Sequence, residues 1–92
     1  MSTIEERVAR GAAWLDSELP GWVAEIDLNR LVLSSPCRCI CGQLYGEYAD
    51  RPDAIWHTDA EHGFNVFSDD PSEWGALEDE WRRVITERRA AA

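Results

Sequence analysis

Apolar residues at Ile4, Val8, Ala12, Leu15 and Leu19 recur at three- and four-residue intervals, which predicts one face of a helix. Ser2 or Thr3 is placed to cap it, with Glu5 or Glu6 three residues on in the capping-box position. Pro20-Gly21 stops it, because the residue before proline avoids the α region. A second stripe, Cys37, Ile40, Cys41, Leu44, Tyr45 and Tyr48, follows i, i+3, i+4, i+7, i+8, i+11. It predicts a long helix over Pro36–Tyr48, capped by Ser35, with Pro36 where a missing N–H costs nothing, and fading before Pro52. Gly42 and Gly46 lie off this stripe. Each weakens a helix by roughly 0.5–1 kcal/mol against Ala, so either another backbone approaches closely there or tertiary contacts tolerate them.

The third long helix opens at Asp70-Pro71-Ser72-Glu73, a cap, a first-turn proline and an acid at N3. Trp74, Leu77, Trp81, Val84 and Ile85 line one face, and Glu78–Arg82 and Asp79–Arg83 have favourable i, i+4 polarity. Acids lead and arginines trail, matching the helix dipole. Between these helices the pattern is weaker. Residues 22–33 read as short helical turns, with Val32-Leu33 a candidate extended piece. Asp53 can cap a short helix containing Ile55 and Trp56, and Gly63 after His62 resembles a helix stop. The expected fold is a mainly α, compact single domain over residues 1–92, with three long helices, short helical turns and a frayed tail at Ala90–Ala92.

Composition bounds the function. The chain has 92 residues, 9 Arg, no Lys and 18 acids, a formal charge of −9. Such a charge argues against direct nucleic-acid binding and against docking on an anionic membrane. It is also uneven: residues 1–46 carry 6 acids and 4 Arg, whereas residues 47–92 carry 12 acids and 5 Arg. No apolar run approaches the roughly 18–20 residues of a membrane span. The polar, acidic N-terminus predicts no secretory signal, and three Cys residues without one predict a reducing cytoplasm.

Cys37-x-Cys39-x-Cys41, with His57 and His62, suggests a metal motif. On a helix, however, Cys39 points some 200° from Cys37, at ~100° per residue, so the three thiols cannot converge. Cys37 and Cys41 are therefore expected as small core residues and Cys39 as a partly exposed thiol, with a site of Cys37, Cys41 and His57 or His62 as the alternative. No cofactor is expected. His57 and His62 lie near Asp59 and Glu61, but His62 before Gly63 is better placed to meet carbonyls at a helix end. No phosphate loop, nucleophile elbow or HExxH motif occurs, so no enzyme activity is expected. Five Trp residues are many for this length. Trp14 lies off the best stripe of the first helix and Trp56 lies in the acidic stretch, making both candidate anchors at a protein interface. The acids Asp50, Asp53, Asp59, Glu61, Asp69 and Asp70 are candidate contacts beside them. Neutralising Asp59 and Glu61 is expected to relieve repulsion unless one makes a specific buried contact.

Several phrases occur in order: Gly11-Ala-Ala-Trp-Leu-Asp16, Pro20-Gly-Trp22, Ile26-Asp-Leu28, Cys41-Gly-Gln-Leu-Tyr-Gly-Glu-Tyr48, Glu61-His-Gly-Phe64 and Trp74-x-x-Leu77-x-x-x-Trp81. Together they resemble a group of small proteins of actinobacteria and their phages, to which no activity attaches. Arginine in place of lysine fits a GC-rich origin. The resemblance implies a phage or host cytoplasmic setting and supplies no site residues. The function expected is a non-catalytic acidic protein-interaction module, binding a host protein if phage-encoded. The alternatives are a nucleic-acid mimic that inhibits a DNA-binding protein and the small metal protein described above.

Overall fold

Two long helices frame the protein, and everything between them is short. In a computed structural model describing residues 3–68 and 70–91, α1 spans Ile4–Glu18, α2 Trp22–Glu25, α3 Ile40–Tyr45 and α4 Pro71–Ala91. Two 3-10 turns, Tyr48–Asp50 and Asp53–Ile55, follow α3, and no strand occurs among the described residues. None of these helices is long and apolar enough to cross a membrane.

The expected ends of α1 hold. Thr3 caps it, with its hydroxyl accepting from the Glu6 N–H (3.1 Å) while the Glu6 carboxylate accepts from the Thr3 N–H (3.3 Å). The other cap considered, Ser2, lies outside the described residues. Val8, Ala12 and Leu15 are fully buried, and Ile4 and Leu19 pack at the core's edge. α4 likewise buries Leu77, Trp81 and Ile85, and it continues through Ala91, so the tail expected to fray from Ala90 is helical to that point. Glu78 and Arg82 pair at 3.5 Å as expected. Arg83, however, pairs with Glu80 and Glu87 instead of Asp79.

α1 packs on α4, and α2 lies between α4 and α3. Trp81 is the centre of this arrangement. Its ring meets Trp22 edge-on (5.8 Å) and stacks on Phe64 (5.4 Å), and its indole N–H donates to the Gly63 carbonyl (2.7 Å). Aromatic pairs in these geometries each add about 0.5–1.5 kcal/mol beyond their buried area. Where α1 crosses residues 62–63 the two backbones approach closely. A Cβ on Gly11 would lie 2.0 Å from the His62 carbonyl oxygen, and one on Gly63 would lie 3.1 Å from the Val8 backbone.

The second predicted long helix is the main correction. α3 has only six residues and begins at Ile40, while 36–38 form a turn. The Ser35-Pro36 signal starts that turn: the Arg38 N–H reaches the Ser35 hydroxyl (3.3 Å) and the Cys39 N–H reaches the Ser35 carbonyl (3.1 Å). The chain then folds back so closely that a Cβ on Gly42 would lie 2.4 Å from the Pro36 carbonyl oxygen. Close backbone approach is therefore what Gly42 serves, whereas Gly46, at φ +96°, ends α3. Of residues 22–33, Trp22–Glu25 form a single helical turn and 28–30 a further turn, with irregular chain between and after them, and Val32-Leu33 pairs with no strand.

This shift reverses the thiols. Cys39 is buried and caps α3, its sulfur accepting from the Gly42 N–H at 3.2 Å, while Cys37 in the preceding turn is exposed. Cys41 is buried as expected. The helical-wheel argument fails for Cys37 and Cys39 because both precede the helix. Burial pushes the Cys39 and Cys41 thiols up from their ordinary values, which suppresses the reactive thiolate. A maleimide pulse on the native protein should therefore modify Cys37 first. Cys39 and Cys41 should react only after denaturation, as peptide mass spectrometry would read directly.

Candidate interaction surface

Arg51 organises the surface around the two 3-10 turns. Its guanidinium carbon lies 4.0 Å from the Tyr48 ring centre and 3.9 Å from that of Trp56. Its Nη1 donates to the Tyr48 carbonyl (3.0 Å), and its Nη2 donates to the Trp56 carbonyl (3.3 Å) and pairs with Asp59 (3.6 Å). The reason is local: Pro52 breaks the chain between two tight turns, so Tyr48 and Trp56 are brought to either side of Arg51 in sequence. Cation–π contacts of this kind contribute about 0.5–1 kcal/mol each at exposed sites and more when desolvated. The Tyr48 hydroxyl and Arg51 Nε are buried without partners among the described residues, a cost the remaining Arg51 contacts must outweigh. Trp56 is 39% exposed despite this clamp. Its indole is thus held in one place while presenting part of its face to solvent.

The other candidates separate into distinct roles. Trp14 is half-buried, edge-on to Phe64 (6.2 Å) and His62 (6.4 Å), so it belongs to the aromatic cluster and not to an exposed anchor. Asp50 and Asp53 are exposed in the turns that flank Arg51, and Glu61 is exposed. Asp59 is not a free contact. It is 9% exposed, accepts from the Ala60 N–H (2.9 Å) and the Asn65 amide (3.1 Å), and pairs with Arg51. It is the specific buried contact that neutralising Asp59 and Glu61 would reveal. Asp70 caps α4 by accepting from the Ser72 N–H (2.9 Å), a bond that lowers its pKa. Asp69 lies outside the described residues. His62 takes the structural role expected of it, with Nδ1 2.8 Å from the Thr58 carbonyl oxygen, and His57 is exposed. Among the described residues no three His, Cys, Asp or Glu side chains converge closely enough to hold a metal ion. Of the two thiols in the alternative with a histidine, Cys37 is exposed and Cys41 is buried.

Sequence reasoning missed Arg7, which is 4% exposed within α1. It donates to the Ala60 carbonyl (2.8 Å), the Asn65 carbonyl (2.8 Å) and the Glu73 carboxylate (2.9 Å). Glu73 also accepts from the Phe67 and Ser68 N–H groups, so it gathers the loop onto the start of α4. Burial works against its charge, but these hydrogen bonds outweigh burial and hold its pKa below the ordinary value. Comparison with protein-family models, with curated proteins and with solved structures finds no match to this chain.

Proposed function

We propose that the protein is a non-catalytic interaction module that presents Trp56, with Asp50 and Asp53 beside it, to a partner protein, a host protein if the chain is phage-encoded. The observation that carries this reading is the clamped, part-exposed Trp56 indole on Arg51. A rigid aromatic anchor costs little entropy on binding, and Trp is enriched among the residues that dominate interface energies. The exposed carboxylates beside it favour a basic rim on the partner and speed encounter. The acidic stretch suits mimicry of a phosphate backbone less well. Asp59, Glu73, Glu78 and Glu80 are tied into ion pairs within the fold, and Asp70 into a helix cap.

Affinity purification from the native cell with wild-type and Trp56→Ala protein tests the reading. The variant should retain the wild-type circular dichroism spectrum and lose the partner, with affinity falling by about 2 kcal/mol or more, as hot-spot truncations do. Wild-type capture should persist at 0.5 M salt as a moderate loss, whereas a phosphate mimic would release steeply. Equal recovery of the same partner by both proteins would remove Trp56 from the interface and sink the proposal.

A further inference from the structure

A cleft of about 350 Å3 opens where the α1–α2 turn faces α3, beside Trp22. It falls at the low end of the roughly 300–1,000 Å3 typical of ligand pockets. Its apolar walls are Leu19, Pro20, Trp22 and Leu44, and Glu18 and Glu25 also line it. The walls are already fixed. Trp22 donates its indole N–H to Asp16 (2.9 Å) and packs on Trp81. Gln43, also lining the cleft, bridges the Asp27 N–H (2.7 Å) and the Arg38 carbonyl (2.9 Å) through its amide.

The two carboxylates are exposed, and among the described residues neither has an ion-pair partner. The arginines at the end of α4 are otherwise engaged: Arg88 pairs with Asp16 (2.6 Å), and Arg89 donates to the Val23 and Ile26 carbonyls. The cleft therefore combines an apolar floor with two negative charges that the fold leaves uncompensated. The complementary group carries a positive charge on an apolar stem. A guanidinium suits it better than an ammonium, because its planar fork can be shared between two carboxylates and is more weakly hydrated.

We propose that this cleft seats an arginine side chain of a partner protein, its stem against Leu19, Pro20 and Leu44 and its guanidinium between Glu18 and Glu25. This rests on the interaction-module reading and adds a second, charge-selective contact to it.

The test is a titration of the 15N-labelled full chain with N-acetyl-Leu-Arg-Leu-amide, followed by NMR. Saturable shifts are expected at Leu19, Leu44, the Trp22 indole N–H and the Gln43 side-chain amide. The same peptide with citrulline, the neutral isostere of arginine, should move the same signals with about fivefold lower affinity, the scale of the ion pairs it cannot form. Glu18→Gln/Glu25→Gln should weaken binding about fivefold, the scale of two exposed ion pairs. Glu5→Gln/Asp79→Asn removes equal charge elsewhere and should not weaken it. Equal affinity for the citrulline peptide, unsaturable shifts spread over the surface, or unchanged binding by the Glu18→Gln/Glu25→Gln protein would overturn the proposal. Tighter binding of spermidine at the same signals would assign the cleft to a free polyamine and overturn it too. Trp56→Ala should leave the titration unchanged, so this proposal and the Trp56 interface fail or stand separately.

Discussion

Arg7→Met should destabilise the protein by about 3–5 kcal/mol, the usual cost of removing one partner from a buried ion pair. A domain of this size holds only about 5–14 kcal/mol in total, so the variant should sit near its unfolding threshold. Methionine keeps most of the volume, which isolates the lost interactions from lost packing. Three acceptors, the Ala60 and Asn65 carbonyls and the Glu73 carboxylate, lose their donor together. Urea unfolding followed by tryptophan fluorescence measures the loss. Arg7→Met/Glu73→Gln should recover part of it, because the stranded charge is gone.

The same pair sets a pH dependence. The folded pKa of Glu73 lies below its ordinary value of 4.5, so its ionised form stabilises the fold above that pH. The contribution is lost as pH falls through the lowered value. Asp16, Asp70 and Glu80 are lowered as well and act with the same sign. Stability should therefore fall on acidification below about pH 4.5, and fall less steeply in Arg7→Met/Glu73→Gln than in the wild type. Parallel acid transitions in the two proteins would show that the Arg7–Glu73 pair contributes nothing to the effect.

Gly11→Ala should cost at least about 3 kcal/mol, although alanine favours a helix over glycine by roughly 0.8–1 kcal/mol. The conflict is steric. The new methyl would lie 2.0 Å from the His62 carbonyl oxygen, a backbone atom held in place by Arg7, Arg10 and Trp81 through its neighbours. Either α1 moves off the loop or the loop moves off Trp81, and both expose the aromatic cluster. Gly75→Ala in α4 provides the comparison, since a Cβ there meets nothing within 4 Å. That change should stabilise by about 0.5–1 kcal/mol. Thermal melts of the two variants should move in opposite directions from the wild type.

Helix ends and faces could be read directly in α1 and α4 because those segments obey local rules. Thr3 with Glu6, and Asp70 with Pro71, satisfy the orphan N–H groups of a first turn from within four residues. The Pro36–Tyr48 segment shows the limit. Its apolar spacing is helical throughout, yet the backbone at Pro36 and Cys37 doubles back against Gly42. Nothing in a periodic pattern separates a helical turn from a tight turn that continues the same spacing. Arg7 shows another limit. It neighbours Val8 on α1, but its partners lie 53 to 66 residues away. Such contacts depend on tertiary position and leave no local signature. In the candidate surface, the surrounding acids mark Trp56 in the sequence, whereas the role of Arg51 depends on two turns whose geometry the sequence only hints at.

Among the described residues, four arginines on the two long helices donate to backbone carbonyls of the chain between them: Arg7, Arg10, Arg82 and Arg89. Trp81 does the same at Gly63. The irregular chain between the two long helices is thus fastened by side chains reaching across the fold, where a sheet would use a backbone ladder. Fastening of this kind has a kinetic consequence. A loop stitched to itself can open alone, but one whose carbonyls are held by α1 and α4 opens only when those helices separate. Amide hydrogens of residues 60–65 that are protected at all should therefore exchange with the global unfolding event, at the same free energy as the centre of α4. The most irregular stretch of the chain would then belong to its slowest-exchanging unit.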